Sequence, residues 1–226
     1  MNYLKRNEKI LKHNLKNKRR ITLSLIVAFL ITGQIGFIEE KVMARDLRTR
    51  NKGANEIKPH ASGGPSMTES ANGTDVIQIT NPNSGGISHN KFIDFSVGAG
   101  NGVIFNNNAT KEPVVTKIGG IVVHNPNLNK AANAILTEVT GNKSSSINGT
   151  IEIAGQRADF ILANENGIAV NGGGFINTSG VTLTTGKPTI SGSDINLNVQ
   201  KGNVLIDGMG VGTAGNYFNI VAKTIE

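Results

Sequence analysis

ANENGIAVNGGGFI, residues Ala163–Ile176, is a strand held between two breakers. The clusters Asn164-Glu165-Asn166-Gly167 and Asn171-Gly172-Gly173-Gly174 flank the short apolar run Ile168-Ala169-Val170. Asn and Gly tolerate positive φ, and each glycine costs a helix about 1 kcal/mol, so the stretch excludes a helix. A related cluster, Asn125-Pro126-Asn127-Leu128, lies 39 residues earlier. There Pro126 pre-sets a turn, the Asn side chains can bond neighbouring backbone groups, and Leu128 can anchor the loop to a core.

The same alternation of strand and breaker runs outward from these two clusters. Short β-branched runs recur from Thr74 onward, among them Val76–Ile79, Val103–Phe105, Val114–Ile118, Ile121–Val123, Ile135–Val139, Phe160–Leu162, Val181–Leu183, Val204–Ile206 and Phe218–Val221. Most are separated by Asn, Gly, Ser or Asp. Strict alternation in Ile151-Glu152-Ile153 and Ile195-Asn196-Leu197-Asn198-Val199 marks half-buried strands. No segment after residue 44 keeps helical spacing over three turns, so the chain reads as all-β. Two architectures compete at this point. A sandwich needs about seven longer strands joined by hairpins. A parallel β-helix needs short strands and sharp corners repeated along an axis. In the β-helix, corner Asn amides pair along the axis and inward Ile and Val stack into an aliphatic column, which suits a chain with 4% aromatic residues and no Trp.

Charge is distributed unevenly. The formal net charge of +7 suggests a phosphate or membrane binder, but residues 1–44 hold nine Lys/Arg against three Asp/Glu. The remainder holds fourteen against thirteen, which leaves no electrostatic footprint for nucleic acid. The basic segment is followed by an apolar run, Ile21–Phe37, and by Val42-Met43-Ala44. Basic region, apolar region and small-residue site form the grammar of a secretory signal cleaved after Ala44. At 17 residues, interrupted by Thr, Ser, Gly and Gln, the run is short for a membrane span, which needs about 20. Residues 45–73, polar and without apolar periodicity, read as a flexible leader. The expected organisation is a signal over 1–44, a leader over 45–73 and one domain over 74–226.

Catalytic chemistry finds little support. Cysteine is absent, which excludes disulfides and thiolate sites. His60, His89 and His124 form no metal-spaced pair, and no Gly-x-Ser-x-Gly elbow occurs. Glu152, Asp159, Asp194 and Asp207 are scattered and read as solvated faces or corner caps. The expectation is a non-enzyme without cofactor or metal.

The ordered set of short words resembles one family. It runs from Gly86-Ile87-Ser88-His89-Asn90-Lys91-Phe92 through Val103-Ile104-Phe105-Asn106-Asn107 and Asn125-Pro126-Asn127-Leu128. It continues through Gly155-Gln156-Arg157-Ala158-Asp159-Phe160-Ile161-Leu162-Ala163-Asn164 to Thr182-Leu183-Thr184-Thr185-Gly186-Lys187-Pro188. Together they resemble the haemagglutination-activity, or two-partner secretion, domain of filamentous haemagglutinin, haemolysin and contact-dependent-inhibition exoproteins. The resemblance implies a right-handed parallel β-helix with short capping or extra-helical strands. It implies an N-terminal module that targets an exported protein to an outer-membrane β-barrel transporter with periplasmic binding domains and nucleates its folding outside. It assigns the secretion motifs to Asn125, Pro126, Asn127 and Leu128, and to Asn164, Asn166, Gly167 and Ile168. A monomer is expected, secreted or held at the cell surface, with a cell-surface receptor as a further partner if the domain is itself an adhesin. A polysaccharide-active β-helix is the third reading. In one place the chain departs from the family pattern: Glu165 stands where the second motif usually carries Pro.

Overall fold

The computed structural model describes residues 53–226 apart from position 214, and the expected signal segment lies outside those residues. The chain begins with two short strands, β1 (Glu56–Pro59) and β2 (Ser66–Glu69). It then winds through three faces in turn. The first coil contains β3 (Asp75–Gln78), β4 (Ile87–Ser96) and β5 (Gly102–Asn107). A hairpin, β6 (Val114–Thr116) and β7 (Gly120–Val122), leaves the coil before β8 (Ala134–Val139), β9 (Ser145–Ile147) and β10 (Thr150–Gly155) make the second. The third is β11 (Ala158–Asn164), β12 (Ile168–Val170) and β13 (Gly173–Ile176). After β14 (Thr178–Thr184) a second hairpin leaves the coil, β15 (Gly186–Ser191) and β16 (Asp194–Val199). The chain closes with β17 (Asn203–Ile206), β18 (Val211–Thr213), β19 (Phe218–Val221) and β20 (Thr224–Ile225).

Stacking these coils builds three sheets. The first face has the order β1-β4-β8-β11-β14-β19, the second β18-β13-β10-β5-β3-β2, and the third β20-β17-β12-β9. Every pairing between successive coils is parallel, as in β4 with β8, β8 with β11 and β5 with β10. Parallel strands need a long crossover between them, and here the rest of each coil is that crossover. This is a parallel β-helix, and the sandwich alternative is eliminated.

Inward positions form rows along the axis. On the first face Ser88, Ile135, Phe160, Val181 and Phe218 are in register, and on the second Val103, Ile151 and Phe175. The core differs from the expected aliphatic column. All six phenylalanines of the described residues form one continuous run: Phe92, Phe95, Phe105, Phe160, Phe175 and Phe218, with successive ring centroids 5.1–6.4 Å apart. Such offset and tilted ring pairs contribute about 0.5–1.5 kcal/mol each beyond the area they bury. Among the described residues the ladder holds every Phe or Tyr ring except Tyr217.

The two hairpins cover the outside. Val114, Ile118 and Val122 pack on Val76, Ile104 and Ala154, over the outer surface of the second face. Ile190 and Ile195 pack beside Ile87, Leu136 and Ala163, over the outer surface of the first. Both faces are therefore apolar on the two sides of the sheet at these points, as parallel sheets require.

The leader expectation is corrected for the described part of residues 45–73. β1 pairs antiparallel with β4, and β2 antiparallel with β3, closing the two faces at the N-terminal end of the coil. Periodicity missed them because only alternate side chains, Ile57 and Met67, turn toward the core. A four-residue capping strand contributes too few apolar residues to register as a pattern. The other end differs: β18, β19 and β20 are each the last strand of their sheet.

Candidate functional site

The two Asn clusters fold into the same local structure. In the first, the Leu128 N–H donates to the Asn125 carbonyl at 3.1 Å, closing a turn. The Asn127 N–H donates to Asn125 Oδ1 at 2.9 Å. In the second, the Gly167 N–H donates to the Asn164 carbonyl at 3.1 Å, and the Asn166 N–H to Asn164 Oδ1 at 2.9 Å. Each is a turn reinforced by an Asx interaction, in which a side-chain oxygen mimics a backbone carbonyl. Asn127 and Asn166 keep negative φ, so the turns have type I rather than type II character.

The amide groups of both motifs reach back along the axis. Asn125, fully buried, donates its Nδ2 to the carbonyls of Ile79 at 3.1 Å and Asn106 at 2.8 Å. Asn127 donates to the Gln78 carbonyl at 3.0 Å. Asn164, also buried, donates to the Lys143 carbonyl at 3.0 Å and to Ser145 Oγ at 2.9 Å. Asn166 donates to the Gly141 carbonyl at 2.8 Å. Each acceptor precedes its motif in the chain, so each motif ties its turn to backbone already laid down. Buried carbonyls at a corner have no ladder partner, and an amide donor satisfies them at the cost of only a short side chain.

The motifs are not brought together. Asn125–Leu128 lies between β7 and β8, where the chain passes from the second face to the first. Asn164 ends β11, and the turn through Gly167 leads into β12, where the chain passes from the first face to the third. Leu128 and Ile168 are both buried in the main core and anchor their corners there, while Pro126 faces solvent. Gly167 has φ 112°, a conformation reserved for glycine. Glu165 occupies the position that Pro126 holds in the first motif, and the turn closes without proline. The second breaker of the opening stretch is shorter than the composition suggests. Only Asn171–Gly172 turns, with Gly172 at φ 76°, and Gly173 and Gly174 already belong to β13. A Cβ on Gly173 would approach the Ile147 carbonyl to 2.7 Å, so glycine is needed there for close approach of coils.

Several polar residues of the site were not singled out in the sequence. Asn106, fully buried, donates to Gln78 Oε1 at 2.9 Å and to the Val123 carbonyl at 3.0 Å, and its own carbonyl receives Asn125. Asn107 donates to the carbonyls of Ala132 and Gln156, both at 2.9 Å. The signal was the run Asn106-Asn107-Asn108 at the end of an apolar strand. Of the two readings for Glu152, the solvated face is eliminated and the cap fits: the residue is 4% exposed, and its two oxygens accept the N–H groups of Lys117 at 2.7 Å and Ile118 at 2.9 Å at the hairpin tip. On the outer surface of the first face, His89 Nε2 lies 2.7 Å from Glu138 Oε2. Burial would raise the Glu138 carboxyl. The hydrogen bond from His89 and the positive charges of His89, Lys91 and Lys187 outweigh it and hold that carboxyl below its ordinary value.

Comparison with known proteins decides the family. The family model described as the TPS secretion domain matches residues 54–226. The chain belongs to the TPS secretion domain family. Filamentous hemagglutinin of Bordetella pertussis is 47% identical over 161 residues, which is 71% of this chain and 4% of that protein. The 16S rRNA endonuclease CdiA of Enterobacter cloacae is 45% identical over 170 residues, 73% of this chain and 5% of that protein. The crystal structure of the filamentous hemagglutinin secretion domain is similar with a TM-score of 0.69 and 45% identity, over 75% of this chain and 56% of that one. The chain thus spans about a twentieth of the curated relatives it matches. The endonuclease activity in the second name is that protein's own. TPS secretion domains engage an outer-membrane transporter, and their exoproteins are secreted or held at the cell surface.

Proposed function

We propose that this TPS secretion domain is exported unfolded through an outer-membrane β-barrel partner with periplasmic binding domains, and that Asn125–Leu128 and Asn164–Ile168 act afterwards as folding latches. The observation that carries this reading is the common direction of the motif amides. Asn125, Asn127, Asn164 and Asn166 all donate to carbonyls earlier in the chain. A chain emerging N-terminus first meets those acceptors before the motif arrives, so each latch closes as its corner emerges. Folded chain cannot slide back, which favours onward transport. The strands β18, β19 and β20 then offer their open edges to further coils. An unfolded chain also presents free strand-forming segments to a periplasmic partner by β-augmentation. The segment 1–44 carries the chain across the inner membrane and is removed near Ala44, and the product is a monomer.

Two measurements on one set of variants test the latch. Asn125→Ala and Asn127→Ala are expressed with the partner transporter, and secreted yield is compared with the unfolding midpoint of the purified protein. Loss of yield in step with loss of stability supports latching. Lost secretion with stability intact sinks it and favours direct recognition of the motif by the partner. Sequencing the secreted N-terminus tests the cleavage separately, and an intact Met1 there would contradict it.

A further inference from the structure

We propose that Glu152 is a positioning residue, which holds the β6–β7 hairpin and through it the first motif once the second coil is in place. The proposal rests on the reading of Asn125–Leu128 as part of the secretion function.

The hairpin stands outside the coil and is weakly held by burial. Its inner face places Val114, Ile118 and Val122 on the second sheet, while Val115 is 83% and Ile121 63% exposed. Its tip closes on itself, with the Gly119 N–H donating to Thr116 Oγ1 at 3.2 Å and Thr116 Oγ1 to the Gly120 carbonyl at 2.8 Å. The tip then joins two coils. Toward the N-terminal side, the Ile118 carbonyl accepts Asn72 Nδ2 at 2.8 Å and Thr74 Oγ1 at 3.0 Å. Toward the second coil, the N–H groups of Lys117 and Ile118 both point into the Glu152 carboxylate. Two backbone donors on one carboxylate are charge-assisted bonds, shorter and stronger than neutral ones.

The hairpin leads directly into the motif. The Val123 carbonyl accepts Asn106 Nδ2, and the Asn125 N–H donates to the Asn108 carbonyl at 2.9 Å two residues later. Asn125 and Asn127 therefore find their acceptors only when the returning arm of the hairpin lies on the second sheet. Glu152 comes from β10, which pairs with β5 and follows the motif in sequence. Until β10 adds to β5, the tip keeps its Asn72 and Thr74 bonds but lacks the carboxylate. Asn125 holds the motif to the first coil, and Glu152 then closes over the hairpin from the second. The hairpin leading into the motif is thus fixed by a residue that the chain delivers only after the latch has closed.

Amide exchange on the full secreted chain tests the assignment. In Glu152→Gln the loss of the charge-assisted pair is expected to speed exchange at Lys117 and Ile118 about tenfold or more, with residues 121–128 following. Amides of β14, remote from the hairpin, keep their rates. Equal acceleration in every coil would show general destabilisation and overturn the proposal, as would unchanged rates at Lys117 and Ile118. A second arm uses the unmodified chain, so that a poorly folding variant does not leave the question open. In pulse-labelled refolding, residues 114–120 of the hairpin gain full protection together with or after residues 150–155, while the Asn125 turn is protected earlier. Full protection of the hairpin before β10 overturns the proposal. Secretion yield of the same variant tests the underlying motif reading: normal yield with local exchange altered would remove that reading and leave the positioning role standing.

Discussion

At Asn125 one buried side chain closes three hydrogen bonds, to the Ile79 and Asn106 carbonyls and from the Asn127 N–H. Replacing it with Ala leaves those backbone groups short of partners in a dry corner. Each unsatisfied buried group costs about 1–3 kcal/mol, so Asn125→Ala is expected to lower unfolding free energy by roughly 2–4 kcal/mol in urea titration. Glu165 offers the opposite test. Its turn has the hydrogen bonds of the Pro126 turn, and proline at that position removes freedom from the unfolded chain. Glu165→Pro should raise stability by about 0.4–1 kcal/mol, and a clear fall would contradict the equivalence of the two turns. The motif residues were legible as turn formers because Asn, Pro and Gly act locally. Their acceptors were not legible, since Gln78, Ile79 and Gly141 contribute only backbone carbonyls, which carry no sequence signal.

Single strands and hairpins behave as add-on pieces to a common coil. The β15–β16 hairpin covers the outer surface of the first face, beside the His89–Glu138 pair, with Lys187 of β15 near the carboxylate. A carboxyl held below its ordinary value of 4.5 stabilises the fold above that pH, and the contribution is lost as pH falls through the lower folded value. Stability measured from neutral pH downward is therefore expected to drop below about pH 4.5, and Glu138→Gln should remove that part of the acid limb. An identical acid limb in the variant would show that other carboxylates account for it. The strands β1 and β2 were hidden in the sequence at this scale, and so was the length of β4, whose residues Ile87–Ser96 interleave polar and apolar side chains. Ser88 and Asn90 are buried within it, because the coil interior accepts polar groups that bond each other: Asn90 Nδ2 donates to Ser88 Oγ at 3.0 Å.

Over the whole molecule the phenylalanine ladder ties coil to coil. Phe160 lies between Phe105 and Phe175, at 5.1 and 5.7 Å, in the middle of the run. Phe160→Ala removes a fully buried ring with partners on both sides and is expected to cost about 3–5 kcal/mol. Phe218 has one ring partner, Phe175, and is only partly buried in the last coil, so Phe218→Ala should cost less by the same thermal or urea measurement. Equal losses at the two positions would mean that the coils do not share one packed core. By itself the sequence determined the all-β class, the short strands, the corners at Asn125–Leu128 and Asn164–Gly167, and the family. All of these depend on local backbone preference or on an ordered set of words. The residue pattern left coil and sandwich open, the family resemblance implied the coil, and parallel pairing showed it; tertiary structure alone decided the capping role of β1 and β2, the ladder of rings, and the burial of Glu152. Each of those depends on contacts between coils, and the two hairpins make the spacing between coils irregular. With no fixed repeat along the chain, periodicity could not place one coil on the next, and only parallel backbone pairing did so.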